Sequence, residues 1–445
     1  MKSLNKLALA AALALIPPSH AASPWTPSWY ASPQDTWGAD FPLPTGAPAL
    51  LERQTVRETA RISVGGRRVR VVFSNRYGEQ PIVIGEARVA RAGDIGANGK
   101  GGDSGDTGNA GGIAQGPGRA LTFGGRRGAT IPAGAPLISD PVDMPVGALE
   151  KLTVSVYLPQ ATPLKTFHWG AQQTGHIAAG NLTGAATMKA AQPLQGRALL
   201  SAILVDAPHS KGALVALGDS ITDGNGSTPN RDRRWPDFLA ALLSADGIPV
   251  LNAGISGARL LGDRMGANAA ARFEHDVLGQ PGVKTVVVLL GINDIGWPQS
   301  AFAPDEPPMR AERMITVYRQ LIAQARVRGV RIIGGTLPPF EGALHGTPFD
   351  GYYTPAKDAV RRQVNQWIKE SGEFDAVADF DALLCDPARP ARLLPRYGSG
   401  DHLHPGDAGY EAMAKEVARA ERTWRIRRNA VIRQEPPRSA DSARF

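Results

Sequence analysis

The sequence has a single cysteine, Cys385, in its 445 residues. A disulfide within the chain is therefore impossible, and a metal site built from several thiolates is excluded. A His-Glu-x-x-His zinc motif is also absent, and the eight histidines are scattered along the chain. We therefore expect stability to come from ordinary apolar cores, and we expect no metal site.

The sequence also lacks an apolar run long enough to span a bilayer, which takes about 18 or more residues. Residues 1–22 have the form of a cleavable signal peptide instead. Lys2 and Lys6 precede an apolar run over residues 7–16, and small residues lie around Ala21. These features predict export to the periplasm or the extracellular space without a membrane span.

Outside the C-terminus the sequence has little excess of either positive or negative charge. The formal net charge of the chain is +8, and residues 419–445 hold eight arginines against three acidic residues. The rest of the chain is close to neutral, which gives no reason to expect nucleic acid as a partner. We predict that residues 425–445 form a basic, flexible tail.

The N-terminal half, residues 23–200, has the pattern of a mainly antiparallel β-sandwich. Apolar residues alternate with others in the stretches RVRVVFSN (68–75) and KLTVSVYLP (151–159), and Gly, Pro and Asn turns separate such stretches. Residues 92–118 are rich in glycine and poor in large apolar side chains. We expect this segment to be a flexible surface loop.

From residue 211 to residue 424 apolar strands alternate with amphipathic helices, which is typical of a parallel sheet covered on both faces. In such sheets reactive loops gather at the carboxyl ends of the strands. The predicted strands are 213–217, 249–252, 284–290, 330–336 and 376–380, and the predicted helices are 233–245, 309–328, 355–371 and 407–421.

Four loops at matching places carry the residue types that acyl transfer through serine requires. Ser220 follows the first strand in LVALGDSITDG and is the candidate nucleophile. His404, in DHLHPGDAGY, is the candidate base, and Asp401 would fix its tautomer. The backbone N–H groups of Ser220 and Gly257, together with the side-chain amide of Asn293, would hold the oxyanion.

Each of these residues alone is more often a turn or capping residue than a catalytic one, but all four in this order at the ends of predicted elements favour catalysis. Glycine at 257 is expected because the backbone must come close to the substrate. Gly254 competes with Gly257 but suits the turn that leaves the strand, and His402 competes with His404 as the base. A Gly-x-Ser-x-Gly elbow of the α/β-hydrolase type does not occur in the chain.

These motifs resemble those of the SGNH/GDSL hydrolase family. Its four blocks are matched by Gly218-Asp219-Ser220, by Gly257 in NAGISG, by Asn293 in GIND, and by Asp401 with His404. The resemblance implies a flavodoxin-like three-layer α/β/α domain and ester hydrolysis without metal or cofactor. It also implies that His404, rather than His402, is the base.

The N-terminal half has its own resemblance. Residues 54–90, 121–146 and 149–159 are similar to the extra β-domain that precedes the SGNH domain in exported bacterial esterases related to xylan esterases. This favours a secreted esterase that removes O-acetyl groups from a polysaccharide such as xylan. Four aromatic residues could stack on sugars or pack in the sandwich: Trp25, Trp29, Tyr30 and Trp37.

Other functions remain open. One is hydrolysis of lipid or simple esters, as by a lipase, lysophospholipase or thioesterase. Another is non-catalytic glycan binding, and O-acetyl transfer to a glycan is a third. The loops 296–308 and 338–356 are expected to set acyl and alcohol specificity.

Overall fold

We describe residues 25–93, 112–113 and 116–434 from a computed structural model. The predicted signal peptide, most of the glycine-rich segment 92–118, and residues 435–445 lie outside these described residues.

The N-terminal half forms antiparallel strands that pack as two principal sheets. Its strands are β1 (Trp25–Tyr30), β2 (Gln34–Asp35), β3 (Leu50–Leu51), β4 (Gln54–Arg61), β5 (Gly66–Ser74), β6 (Ile82–Ile84), β7 (Glu86–Arg91), β8 (Arg119–Ala120), β9 (Ala129–Ile131), β10 (Pro136–Ile138), β11 (Val142–Val146), β12 (Lys151–Leu158), β13 (Thr162–Pro163), β14 (Thr166–His168), β15 (Thr174–Ala179), β16 (Gln192–Gln195), β17 (Arg197–Ala198) and β18 (Leu200–Asp206).

One sheet has the order β1-β18-β5-β10, with β11 also paired to β5, and the other has the order β16-β15-β4-β12-β7-β8. The alternation predicted in β5 is present: Val69, Val71 and Phe73 are fully buried, whereas Arg70 and Val72 are partly exposed. The inward faces of the two sheets share one apolar core. The predicted antiparallel β-rich domain is therefore confirmed.

The predicted boundary at residue 200 falls too early. Strand β18 pairs with both β1 and β5 and continues to Asp206. Its residues are all buried, so they complete the sandwich core rather than link two domains. We call residues 25–206 the β-domain.

The C-terminal half, which we call the α/β domain, begins at Ala213 and contains a parallel sheet. Its elements are β19 (Ala213–Gly218), α1 (Ser220–Asp223), α2 (Trp235–Leu243), β20 (Val250–Gly254), α3 (Ala269–Phe273), β21 (Val283–Leu289), α4 (Ile292–Gly296), α5 (Ala311–Val327), β22 (Arg331–Gly335), α6 (Pro355–Glu370), β23 (Ala376–Ala378), α7 (Phe380–Leu384), β24 (Cys385–Asp386), β25 (Arg389–Leu393) and α8 (Asp407–Gln434).

The strand order is β20-β19-β21-β22-β23, the 2-1-3-4-5 order of flavodoxin-like folds. All four pairings in this sheet are parallel. The predicted α/β fold is therefore confirmed, and the predicted strands and helices end within a few residues of those observed, except for the C-terminal end of α8. Parallel strands direct their carboxyl ends to one edge, so the loops that follow β19, β20 and β21 meet there.

Helix α8 is longer than predicted. It continues to Gln434, past the domain boundary expected at residue 424, so the first part of the predicted tail 425–445 is helical. Four of residues 425–434 are arginine, which favours helix. In the described ranges, no helix is both long and apolar enough to cross a membrane.

The two domains contact each other through buried polar groups. The Tyr30 hydroxyl donates to Asp276 of the α/β domain at 2.8 Å, and Ser63 Oγ donates to the Val250 carbonyl at 2.7 Å. Trp29 and Tyr30 are each only 5 % exposed, which leaves them no free ring face for a sugar. Trp37 packs among other aromatic rings near the domain boundary.

Candidate active site

Ser220 is the first residue of helix α1, directly after strand β19. The turn between them depends on Gly218, where an added Cβ would lie 2.0 Å from Thr222 Oγ1. Asp219 caps the helix by accepting from the Ile221 N–H at 3.0 Å. As the first helical residue, Ser220 has a backbone N–H without an intrahelical acceptor.

Three predicted residues from two distant loops form one hydrogen-bonded chain. Ser220 Oγ lies 2.8 Å from His404 Nε2, and His404 Nδ1 lies 2.5 Å from Asp401 Oδ2. Ser220 is buried, with 6 % of its surface exposed, whereas the side chains of His404 and Asp401 are 13 % and 34 % exposed. The hydrogen-bonded chain therefore runs from a buried serine to a carboxylate that solvent can reach. In this arrangement the imidazole can accept the serine proton on the nitrogen opposite the carboxylate.

Asp401 is held by several donors besides the imidazole. Its Oδ1 atom accepts from Ser399 Oγ and from the N–H groups of Leu403 and His404, at 2.8 to 3.1 Å. Burial acts to raise the pKa of Asp401, but the hydrogen bond and charge of His404 and these backbone donors outweigh it. The pKa of Asp401 is therefore held well below its usual range, and the carboxylate stays ionised.

Gly257 has a positive φ of 77° in the loop after β20. A Cβ at this position would meet Met265, with Sδ only 2.3 Å away. The expected reason for glycine here was close approach of substrate; the structure shows instead that φ and packing against Met265 require it. Gly254 ends β20, and its missing Cβ lets the strand lie against the backbone of Asp223 in α1.

Asn293 is buried in helix α4 and its amide orientation is fixed by three hydrogen bonds. Its Oδ1 accepts from Tyr352 Oη at 2.8 Å and from Trp297 Nε1 at 3.1 Å, and its Nδ2 donates to the Ala258 carbonyl at 3.0 Å. One Nδ2 hydrogen is left to donate elsewhere. Trp297 and Tyr352 belong to the two loops expected to set specificity, and nothing in their sequence pattern indicated this role.

Two carboxylates lie buried behind these residues. Asp294 accepts from the N–H groups of Leu260 and Leu261 at 2.7 and 3.0 Å, which ties α4 to the segment after Gly257. Burial is the main cause that raises the pKa of Asp294 to about 6 and that of Asp219 to about 7. These side chains shape the site from behind rather than facing the cleft.

A cleft of about 570 Å³ lies between the two domains and opens onto the candidate site. The α/β domain contributes Asp401 and His404 to it, together with the segment around Asn225. The β-domain contributes Trp169 and several polar side chains, among them Gln172. These β-domain residues are separated from the His404 loop by over 200 positions, and no local sequence pattern indicates that they form one wall of the cleft.

His402, the other candidate base, does not take part in the hydrogen-bonded chain from Ser220 to Asp401. His402 has a positive φ of 61° and its Nε2 faces Arg392 Nη2 at 3.4 Å, away from Ser220. Among the described residues there is no cluster of His, Cys, Asp and Glu able to hold a metal ion.

Solved structures with partial likeness include two esterase-related proteins. Acetylxylan esterase Axe2 from Geobacillus stearothermophilus is 25% identical with a TM-score of 0.35, over 47% of this chain and 94% of its own. A GDSL-like lipase from Bacteroides thetaiotaomicron VPI-5482 is 16% identical with a TM-score of 0.36, over 48% of this chain and 88% of its own. No curated protein matches the chain significantly.

The family comparison is more specific. The model of the GDSL-like Lipase/Acylhydrolase family matches residues 216–412, which run from within β19 into α8 and include Ser220, Gly257, Asn293, Asp401 and His404. The C-terminal half of this chain is therefore a domain of the GDSL-like lipase/acylhydrolase family.

Proposed function

We propose that the protein is a serine esterase that cleaves carboxylic esters through an acyl-enzyme, with Ser220, His404 and Asp401 as its triad. The observation that carries the proposal is the unbroken chain from Ser220 Oγ to Asp401 Oδ2, with distances of 2.8 and 2.5 Å. Family membership supports ester hydrolysis in general. The triad and the substrate are our assignment.

In the first half-reaction His404 Nε2 takes the Ser220 proton while Oγ bonds to the ester carbonyl carbon. The carbonyl oxygen becomes an oxyanion that accepts from the N–H groups of Ser220 and Gly257 and from Asn293 Nδ2. His404 then gives its proton to the leaving alcohol as the carbon–oxygen bond breaks. Asp401 stabilises the imidazolium that exists between these two proton transfers.

The second half-reaction repeats the steps with water. His404 takes a proton from the attacking water, the same donors hold the second oxyanion, and the proton returns to Ser220 Oγ as the acid leaves. The products are one carboxylic acid and one alcohol. No step needs a cofactor.

For the substrate we propose a short acyl group, most simply acetyl, on a polysaccharide such as xylan. The fifteen residues that line the cleft include no Leu, Ile, Val, Met or Phe. A long acyl chain would therefore find little apolar surface, whereas the glutamine, threonine and asparagine side chains can bond hydroxyl groups. Trp169 offers one half-buried aromatic ring for a sugar.

The first experiment compares acetate release from acetylated xylan with hydrolysis of p-nitrophenyl esters of increasing chain length. Wild type, Ser220→Ala and the control Ser244→Ala are used, since Ser244 lies at the end of α2, outside the cleft. We expect acetate release and short-ester hydrolysis that Ser220→Ala abolishes and Ser244→Ala retains. Preference for long chains with no action on xylan would favour a lipid or simple-ester hydrolase.

A second variant tests recognition of the glycan separately from recognition of the acyl group. Trp169→Ala should raise the KM for acetylated xylan about 3- to 10-fold, as expected for one aromatic contact. Its kcat/KM for p-nitrophenyl acetate should stay close to wild type. Equal losses on both substrates would argue against a sugar contact at Trp169. If Ser220→Ala retains full activity, the proposed mechanism is wrong. If the wild type hydrolyses none of these esters, binding without catalysis becomes the better explanation.

A further inference from the structure

The β-domain inserts one histidine side chain into the back of the candidate site. His168 ends strand β14 and is only 4 % exposed. Its Nε2 lies 3.0 Å from Asp223 Oδ1, and its Nδ1 lies 2.9 Å from the Ser32 carbonyl oxygen. Asp223 is the last residue of α1, the helix that begins with Ser220, and it is fully buried.

The hydrogen-bond partners fix the protons of this pair. A carbonyl oxygen can only accept, so His168 Nδ1 must carry a proton toward Ser32. Nε2 faces a carboxylate, and a bond between them requires one further proton shared by His168 and Asp223. The pair is therefore either an imidazolium with a carboxylate or a neutral imidazole with a carboxylic acid, and in neither form is an uncompensated charge buried at Asp223.

Another cation is near but already engaged. Arg234 interacts with the charge of Asp223, but its guanidinium bonds both oxygens of Asp237 at 2.7 and 3.0 Å. His168 is thus the side chain that directly bonds Asp223 from the β-domain.

The second oxygen of Asp223 holds the oxyanion loop. Asp223 Oδ2 accepts from the Ser256 N–H at 3.0 Å and from Ser256 Oγ at 2.7 Å. Ser256 directly precedes Gly257, whose N–H is a proposed oxyanion donor. Asp223 therefore connects the helix of the nucleophile to the loop of the donor.

The β-domain also touches this connection with its backbone. A Cβ added at Gly170 would lie 2.1 Å from Asp223 Oδ2 and 2.2 Å from Ser256 Oγ. Two β-domain residues, separated by one tryptophan, therefore lie against Asp223, and Gly170 also lies against Ser256. This second contact is independent of the His168 hydrogen bond.

From these contacts we infer that the β-domain is a working part of the active site: His168 and Gly170 are positioning residues that act through Asp223 and Ser256 on the Gly257 donor. The inference rests on the proposed esterase function. It assigns the β-domain a part in the rate of the chemical step, beyond forming a wall of the cleft.

The test uses the full chain with His168→Ala, Asp223→Asn and the double variant, each assayed with p-nitrophenyl acetate. His209→Ala, an exposed histidine, is the matched control. We expect His168→Ala to lower kcat about 10- to 100-fold, the scale of a misplaced catalytic group, with KM changed less than about 3-fold. His209→Ala should match wild type.

The double variant distinguishes positioning from general damage. In His168→Ala the carboxylate of Asp223 is left buried and uncompensated, and Asp223→Asn removes that charge while keeping an oxygen for Ser256. The double variant should therefore have a higher kcat than His168→Ala alone, by several-fold. His168→Gln, whose amide can still donate to Asp223, should also recover part of the loss.

Gly170→Ala gives a second, independent measurement. Its added methyl group should displace Asp223 or Ser256 and lower kcat at nearly constant KM. All rates are measured below the melting temperature of the least stable variant, as recorded by circular dichroism. The inference is wrong if folded His168→Ala and Gly170→Ala both keep kcat within 2-fold of wild type. It is also wrong if the changes in log kcat caused by His168→Ala and Asp223→Asn are additive in the double variant. Full activity of the Ser220→Ala variant would instead refute the proposed function itself.

Discussion

The amide of Asn293 offers the sharpest test of the proposed oxyanion site. A preorganised donor of this kind contributes about 10²- to 10³-fold to kcat. Asn293→Ala should therefore lower kcat by that factor with little change in KM. The carbon skeleton of the substrate still fits, but the developing oxyanion loses one hydrogen bond.

Tyr352→Phe perturbs the same amide without touching the substrate. In the wild type, rotating the amide by 180° would break the bonds to Tyr352, Trp297 and the Ala258 carbonyl, which are 2.8, 3.1 and 3.0 Å long. At about 0.5–1.5 kcal/mol for each bond, the observed orientation is favoured by about 1.5–4.5 kcal/mol. Removing the Tyr352 hydroxyl weakens this preference by about 0.5–1.5 kcal/mol, which sets an upper limit of about 2- to 13-fold on the fall in kcat.

The assay is steady-state hydrolysis of p-nitrophenyl acetate, with thermal melting to verify folding. Tyr353→Phe is the matched control, because the Tyr353 ring packs edge-to-face on Phe340, one residue away from the network. We expect losses in the order Asn293→Ala, then Tyr352→Phe, with Tyr353→Phe close to wild type. An Asn293→Ala enzyme with kcat within 3-fold of wild type would refute the oxyanion role. A Tyr352→Phe loss as large as that of Asn293→Ala would refute the ranking.

Three further predictions concern protons and metals. Asp401→Asn should lower kcat on the order of 10⁴-fold; the amide oxygen takes the Oδ1 place, which accepts from three donors, so Nδ2 faces His404 Nδ1 and forces the wrong tautomer. A folded variant with kcat near wild type would contradict this. The pKa of Asp219 is about 7, mainly through burial, against about 4 in an unfolded chain. Because the folded state holds this proton more tightly, the Asp219 contribution to stability declines as pH rises from about 4 to 7, by up to about 4 kcal/mol. Asp219→Asn cannot ionise, so its melting temperature should fall less between pH 5 and pH 8 than that of wild type; an identical fall would show that Asp219 is not responsible. A chelator such as EDTA should leave the hydrolysis rate unchanged, and loss of activity that zinc restores would contradict the proposed mechanism.

Local sequence patterns predicted the two architectures well. The alternation around Val71 identified a strand with one buried face, and apolar runs such as residues 284–290 identified strands that are buried on both faces. Both signals are short-range, because side-chain direction in a strand depends only on the position along it. Domain ends were less well predicted: β18 continues to Asp206 and α8 to Gln434, where pairing and helix propensity extend the elements.

The candidate nucleophile, base and orienting carboxylate were predictable for a related reason. Ser220 and the His404 loop each occupy the end of a predicted element, and parallel strands bring such ends to one edge of the sheet. The residues that fix the amide of Asn293 were not predictable. Tyr352 and Trp297 come from irregular loops, and their patterns resemble those of any buried aromatic side chain.

By itself the sequence determined the fold of each half, the identity of the candidate catalytic groups and the absence of a disulfide. These depend on local periodicity, on motif chemistry and on composition. Only the tertiary structure decided that His168 and Gly170 of the β-domain lie against Asp223 and Ser256. The physical reason is that domain packing joins residues far apart in the chain, through shape and buried hydrogen bonds that leave no periodic signal in either segment.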